Sequence, residues 1–175
     1  MFFYKNIFIK TLKMKEINIS ITAQEYDSTD AMDLSSQTLI QAAKEAAKNA
    51  YAPYSNFKVG AAVLLDNGKI IIGNNQENAA YPSGLCAERV AVFAASSQYP
   101  DAVIKAVAIT AVSDSFEINT PISPCGACRQ VLTEYEFKSG EDIKLILTGH
   151  VGKVLVINNV KTLLPFTFNA SNLKK

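Results

Sequence analysis

The sequence predicts an α/β protein built on a five-stranded mixed sheet covered by helices, and three observations carry that reading. Apolar runs of strand length alternate with runs of helical character. Two of the strand runs flank Asp66-Asn67-Gly68, a strong hairpin signal. The last two, in "IKLILTGHVGKVLVI", are joined by only Gly149-His150-Val151-Gly152. So short a link makes those two strands antiparallel, because a parallel pair needs a crossover of roughly a dozen residues.

Each element has its own warrant. In "EINISITA", Ile17, Ile19 and Ile21 fall on one side of an alternating pattern, which suits a short edge strand. Residues 24–34 are polar and acidic and read as a linker. "SSQTLIQAAKEAAKNAYAP" offers a serine cap, a face of Leu39, Ala42, Ala43 and Ala46, and Pro53 beyond its end, so a helix is expected. "FKVGAAVLLDNGKIIIGN" supplies the hairpin. A helix is expected from about Ser83 to Ala95, followed by a strand in "IKAVAITAV". That strand has little polar alternation, as a central one buried on both faces would. A further helix begins near Cys125, then come the final pair of strands and a short C-terminal helix.

The chain divides into an extension over residues 1–33 and a single domain over 34–175. In "MFFYKNIFIKTLK", Lys5, Lys10 and Lys13 interrupt the apolar stretch that a secretory signal requires. Those residues are read as lying upstream of a natural start at Met14. With 49% hydrophobic and 19% charged residues the composition is that of a globular protein. A net charge of +1 gives no general attraction to nucleic acid or to an acidic membrane. No apolar run approaches the ~20 residues of a membrane span. Three cysteines make an odd number, which argues against a disulfide framework and for a reduced, cytoplasmic protein.

The cysteines carry the chemistry. "SGLCAERVAV" puts Cys86, Glu88 and Arg89 at a helix start where packing alone would not choose them. "SPCGACRQV" places Cys125 and Cys128 at i, i+3, on one side of a helix. A lone C-x-x-C is shared by redox pairs and by halves of zinc ribbons. Three cysteines cannot close a four-ligand structural site, and a redox pair has no use for Cys86. Three thiolates leave one position of a tetrahedral zinc open, as catalytic sites do. Helix N-termini favour the thiolate form that binds metal. Three sulfur ligands carry a surplus of negative charge, and Arg89 is the adjacent group to draw it off. His150 is read as an ordinary loop histidine.

C-A-E-R followed by P-C-G-A-C-R-Q resembles the zinc signature of the small homotetrameric cytidine deaminases of the three-cysteine type. The likeness extends from about Ala42 to Phe168, through "YAPYSNFKVGAAV", "NNQENAAYPSG" and "LLPFTF". It implies a three-layer cytidine deaminase-like fold, with one Zn2+ per chain on Cys86, Cys125 and Cys128. It implies that Glu88 is the general acid/base, and that the reaction converts cytidine and deoxycytidine to uridine and deoxyuridine. Further roles follow from it: Phe57 against the pyrimidine, Asn75 and Glu77 on the ribose 3′-hydroxyl, and the Ala87 backbone on the base. Tyr81 and Phe168 would reach a neighbouring subunit's site. Blasticidin-S-type deaminases share the three-cysteine site and are the alternative; the Asn75/Glu77 pair speaks against them. The expected partners are a nucleoside and water, with no nucleic acid and no membrane.

Overall fold

A computed structural model describes residues 14–173 of the chain. The segment before Met14, expected to lie upstream of a natural start, falls outside the described residues. The strands are β1 (Gln24–Tyr26), β2 (Phe57–Leu65), β3 (Ile70–Asn74), β4 (Ile104–Ser113), β5 (Lys144–Thr148) and β6 (Val154–Ile157). Three α-helices accompany them: α1 (Leu34–Lys48), α2 (Ala87–Gln98) and α3 (Gly126–Ser139). The sheet order is β1-β6-β5-β4-β2-β3. β4 and β5 are parallel, as the helical crossover between them allows. β5 and β6 are antiparallel, as their short connection requires.

The apolar runs of the central strands serve two faces at once. In β2, Ala61, Val63 and Leu65 join Ala87, Ala91, Val92 and Ala95 of α2 and Leu132 of α3 in one core. Ala62, one position out of phase, joins Leu39, Ile40 and Ala43 of α1 in the other. Side chains alternate across a strand, so a sheet covered on both faces needs apolar residues at every position. The result is three layers, with α1 on one face and α2 and α3 on the other.

The sheet has six strands where five were expected. The added strand lies in the segment read as a linker: Gln24–Tyr26 pairs antiparallel with Val154–Val156. The alternating segment just before it, expected as the edge strand, forms none, and Ile17, Ile19 and Ile21 are exposed. The partner explains the shift. β6 is four residues long, and the register that pairs Gln24 with Val156 runs off its end before reaching Ile21. Strand-like alternation cannot make a strand without an edge to pair with.

Three smaller expectations also move. The cap of α1 is Asp33, whose carboxylate accepts from Ser36 N at 2.9 Å. Ser83 belongs to a 3-10 turn, Tyr81–Ser83, and α2 starts at Ala87. The C-terminal helix is one 3-10 turn, Ala170–Asn172. The hairpin forms as read, with Gly68 at φ 79°, a conformation that favours glycine. The buried Glu136 carboxylate accepts from Ile143 N (2.9 Å), Val160 N (2.6 Å) and Lys161 N (2.9 Å), tying the end of α3 to both neighbouring connections.

Topology gathers the distant motifs at one edge of the sheet. β3 and β4 flank β2, and both run antiparallel to it. They therefore end at the same edge, which is also where β2 begins. The connections leading to α2 and α3 start there, and so does Phe57.

Candidate metal centre and active site

Cys86 is the N-cap of α2 and Cys125 the N-cap of α3, and neither side chain caps its own helix. Both sulfurs are left available to another partner. Cys128 lies one turn further along α3 and is fully buried. The three Sγ atoms lie within 4.8 Å of one another, and those of Cys86 and Cys125 are 3.9 Å apart. Two sulfurs bound tetrahedrally at about 2.3 Å from zinc stand about 3.8 Å apart, so the spacing fits that ion.

The electrostatics also call for a cation. Hydrogen bonding from Cys128, and then the Arg89 guanidinium, pulls the Cys86 thiol down to about 5. The Cys128 thiol is pushed up, chiefly by its hydrogen bond with Cys86 and by burial. Three sulfurs this close cannot all ionise without positive charge among them. Arg89 Nη2 donates to Cys86 Sγ at 3.7 Å, so the guanidinium lies beside the sulfurs. Its Nε is buried without a partner among the described residues, an unsatisfied donor next to a thiolate cluster.

Glu88 is 5% exposed, in the first turn of α2. Burial, reinforced by the nearby Cys86 charge, raises its pKa above the ordinary carboxylate value. A buried carboxylate with no structural ion pair among the described residues suits proton transfer better than helix capping.

An open cleft of about 590 Å³ adjoins the cysteines. Phe57, Asn75, Glu77, Tyr81, Cys86, Glu88, Arg89 and Cys125 all line it. Asn75 is nearly buried, and its amide is engaged with β2: Oδ1 accepts from Val59 N at 2.7 Å and Nδ2 donates to Phe57 O at 2.9 Å. Glu77 Oε2 accepts from Tyr54 N at 2.9 Å and Ser55 N at 3.3 Å. Hydrogen bonding from Ser55 lowers the Glu77 pKa. Ala87 is fully buried, and its side chain belongs to the core beneath the cleft.

Tyr81 is exposed at the cleft rim, edge-on to Tyr54 with centroids 6.4 Å apart. Phe168 is exposed and does not line this cleft; its carbonyl accepts from Gln130 of α3 at 2.8 Å. His150 lines a separate groove against α1. Tyr54, Ser55, Leu85, Ile122 and Ser123 line the cleft and had no role assigned from sequence. Short polar and aromatic loop residues carry no periodic signal, so only the fold reveals them. Arg129, beside Cys128, was also missed. It donates to Pro124 O at 2.8 Å and Leu163 O at 3.1 Å, fastening the Cys125 turn to the C-terminal segment.

Residues 34–140 match the family model described as the cytidine and deoxycytidylate deaminase zinc-binding region. The chain is 42% identical over 137 residues to the cytidine deaminase of Halalkalibacterium halodurans, covering 78% of this chain and 96% of that protein. It is 41% identical to the cytidine deaminase of Sporosarcina psychrophila over 78% of this chain and 93% of the other. The crystal structure of cytidine deaminase from Burkholderia pseudomallei superposes with a TM-score of 0.65 at 42% identity, covering 75% of this chain and 97% of that one. Together with the sulfur cluster, the match to a zinc-binding region assigns one Zn2+ per chain to Cys86, Cys125 and Cys128. By motif, fold and metal site the chain belongs to the cytidine deaminase family.

Proposed function

We propose that the protein hydrolyses cytidine and deoxycytidine to uridine and deoxyuridine, releasing ammonia, as an enzyme of pyrimidine salvage in the cytoplasm. The observation that carries this reading is Glu88, a buried carboxylate of raised pKa two residues from Cys86 on the wall of the cleft. The relatives are named cytidine deaminases, which favours a nucleoside over blasticidin S.

Zinc held by the three sulfurs supplies the Lewis acidity that brings the pKa of water towards neutrality. The chain's own groups do the rest. Glu88 takes a proton from the attacking water and delivers it to ring N3, which makes C4 electrophilic. It then takes the remaining proton from the added oxygen and hands it to the departing amine, so water and cytidine become uridine and ammonia. One carboxylate within hydrogen-bond reach of both water and ring can do this, and its raised pKa suits both directions of transfer. Arg89 draws negative charge off the Cys86 sulfur, offsetting the weak acidity that three thiolates would leave to the metal.

In this reading Phe57 lies against the pyrimidine, the Ala87 backbone meets the base, and Asn75 and Glu77 hold the ribose 3′-hydroxyl. Tyr81 and Phe168 reach the site of a neighbouring chain in a homotetramer; their exposure is in keeping with that role. Residues 34–175 carry the catalytic machinery, and of the extension over residues 1–33, Gln24–Tyr26 adds an edge strand to the same sheet. The deciding experiment follows the fall in absorbance when cytidine, deoxycytidine, CMP and blasticidin S are offered separately. Turnover of blasticidin S or CMP in preference to both nucleosides would refute it.

A further inference from the structure

We propose that Ser55 is a positioning residue that sets the Glu77 carboxylate to receive a single sugar hydroxyl, and thereby governs the enzyme's preference for nucleosides bearing a 3′-hydroxyl. This rests on the reading of Glu77 as a sugar-binding group. The Ser55 hydroxyl stands between two walls of the cleft. It accepts from Phe57 N at 3.0 Å and donates to Glu77 Oε1 at 2.5 Å. An ionised carboxylate can only accept, and the amide can only donate, so the direction of the hydroxyl proton is determined. The base wall at Phe57 and the sugar wall at Glu77 are thus joined through one oxygen.

The hydrogen-bond inventory limits what Glu77 can still bind. A carboxylate offers about four lone-pair sites. Tyr54 N, Ser55 N and Ser55 Oγ occupy three of them. One acceptor position is left on a cleft-lining carboxylate, enough for one hydroxyl donor. The loop that supplies these donors is itself held in place. Asn56 adopts φ 53°, its N–H donates to Ala52 O at 3.1 Å, and Asn75 pins Phe57 O from the far side. Without the Ser55 hydroxyl, Oε1 loses its direction and gains an unfilled acceptor that water can occupy.

The test compares wild type, Ser55→Ala and Ser55→Thr on cytidine and 3′-deoxycytidine. Zinc content is measured in each, and calorimetry gives Kd for uridine and 3′-deoxyuridine. Ser55→Ala is expected to lower kcat/KM for cytidine about tenfold, chiefly through KM, while changing that for 3′-deoxycytidine less than about twofold. The Kd ratio of the two products should narrow by a similar factor, zinc content should be unchanged, and Ser55→Thr should restore the preference. Equal losses on both substrates, or an undiminished preference in Ser55→Ala, would overturn the role of Ser55. A wild type that does not distinguish the two substrates would instead remove the sugar-binding reading of Glu77, and this inference with it. If Ser55→Ala does not fold, Ser55→Cys replaces it: the thiol is a weaker donor, and an unchanged preference there counts against the proposal.

Discussion

The sulfurs of Cys86 and Cys125, on two different helices, lie 3.9 Å apart with neither engaged in capping its own helix. With Cys128 they form a group of three potential metal ligands whose sulfurs lie within 4.8 Å of one another. Replacing any one of the three by alanine is expected to abolish stoichiometric zinc, because two thiolates do not hold a tetrahedral site firmly. Metal analysis of the purified variants checks this. A full complement of zinc in any of them would falsify the three-cysteine site.

Glu88→Gln should keep its zinc and lose activity by roughly 10²–10⁴-fold or more, since the proton carrier is gone and the ligands are intact. The same change should stabilise the metal-free protein at neutral pH. Burial raises the Glu88 pKa in the folded state above its ordinary 4.5, so folding favours the protonated form. That contribution is fully present below pH 4.5 and is lost as pH rises through the folded value. At neutral pH the ionised carboxylate is therefore a cost that neutral Gln avoids. Melting curves of the zinc-free proteins should place the variant above wild type at pH 7, with the gap narrowing as pH falls. A variant less stable than wild type at pH 7 contradicts this.

Gly73 of β3 lies against α2 so closely that an added Cβ would meet Ala91 N at 2.4 Å and Ala87 O at 2.7 Å. Both contacts are backbone and cannot swing aside. Gly73→Ala must push away the helix that carries Glu88 and follows Cys86, at a cost of about 1–3 kcal/mol. Denaturant unfolding should register that loss, and chelator challenge should show faster zinc release. Wild-type behaviour in both would mean that α2 moves without strain.

Removing residues 1–13 is expected to leave zinc, activity and assembly unchanged, and activity with light scattering on the truncated chain is the check. Removal through Tyr26 differs, because it takes away β1 and uncovers the edge of β6. That longer truncation should keep its zinc but self-associate more readily, as exposed strand edges do. Sedimentation would detect the difference, and identical behaviour of the two truncations would mean that β1 does not protect the edge.

If neighbouring chains complete each other's sites, activity per chain should fall on dilution below the assembly constant. A tetramer is expected by light scattering. Phe168→Ala should raise KM without removing zinc, since Phe168 lies outside its own chain's cleft. A fully active monomer at 19.0 kDa excludes the shared-site reading and leaves the zinc chemistry of the single chain intact.

The three cysteines, Glu88 and Arg89 were legible because metal chemistry restricts residue type and spacing, and both are written along the chain. The hairpin at Asp66-Asn67-Gly68, the central strand β4 and the antiparallel pair β5–β6 were legible for a similar reason: turn residues and connection length are local. What tertiary structure alone decided depends on partners distant in sequence. Gln24–Tyr26 became a strand, and the better alternating segment before it did not, because pairing is set by where β6 ends. Ser55 entered the site because β2 begins where β3 ends, which brings its hydroxyl to Glu77, 22 residues away in the chain. Cys86 and Cys125 meet because β3 and β4 run in the same direction on either side of β2. Chemical identity is a property of residues and can be read from them; proximity is a property of the sheet, and only the folded chain supplies it.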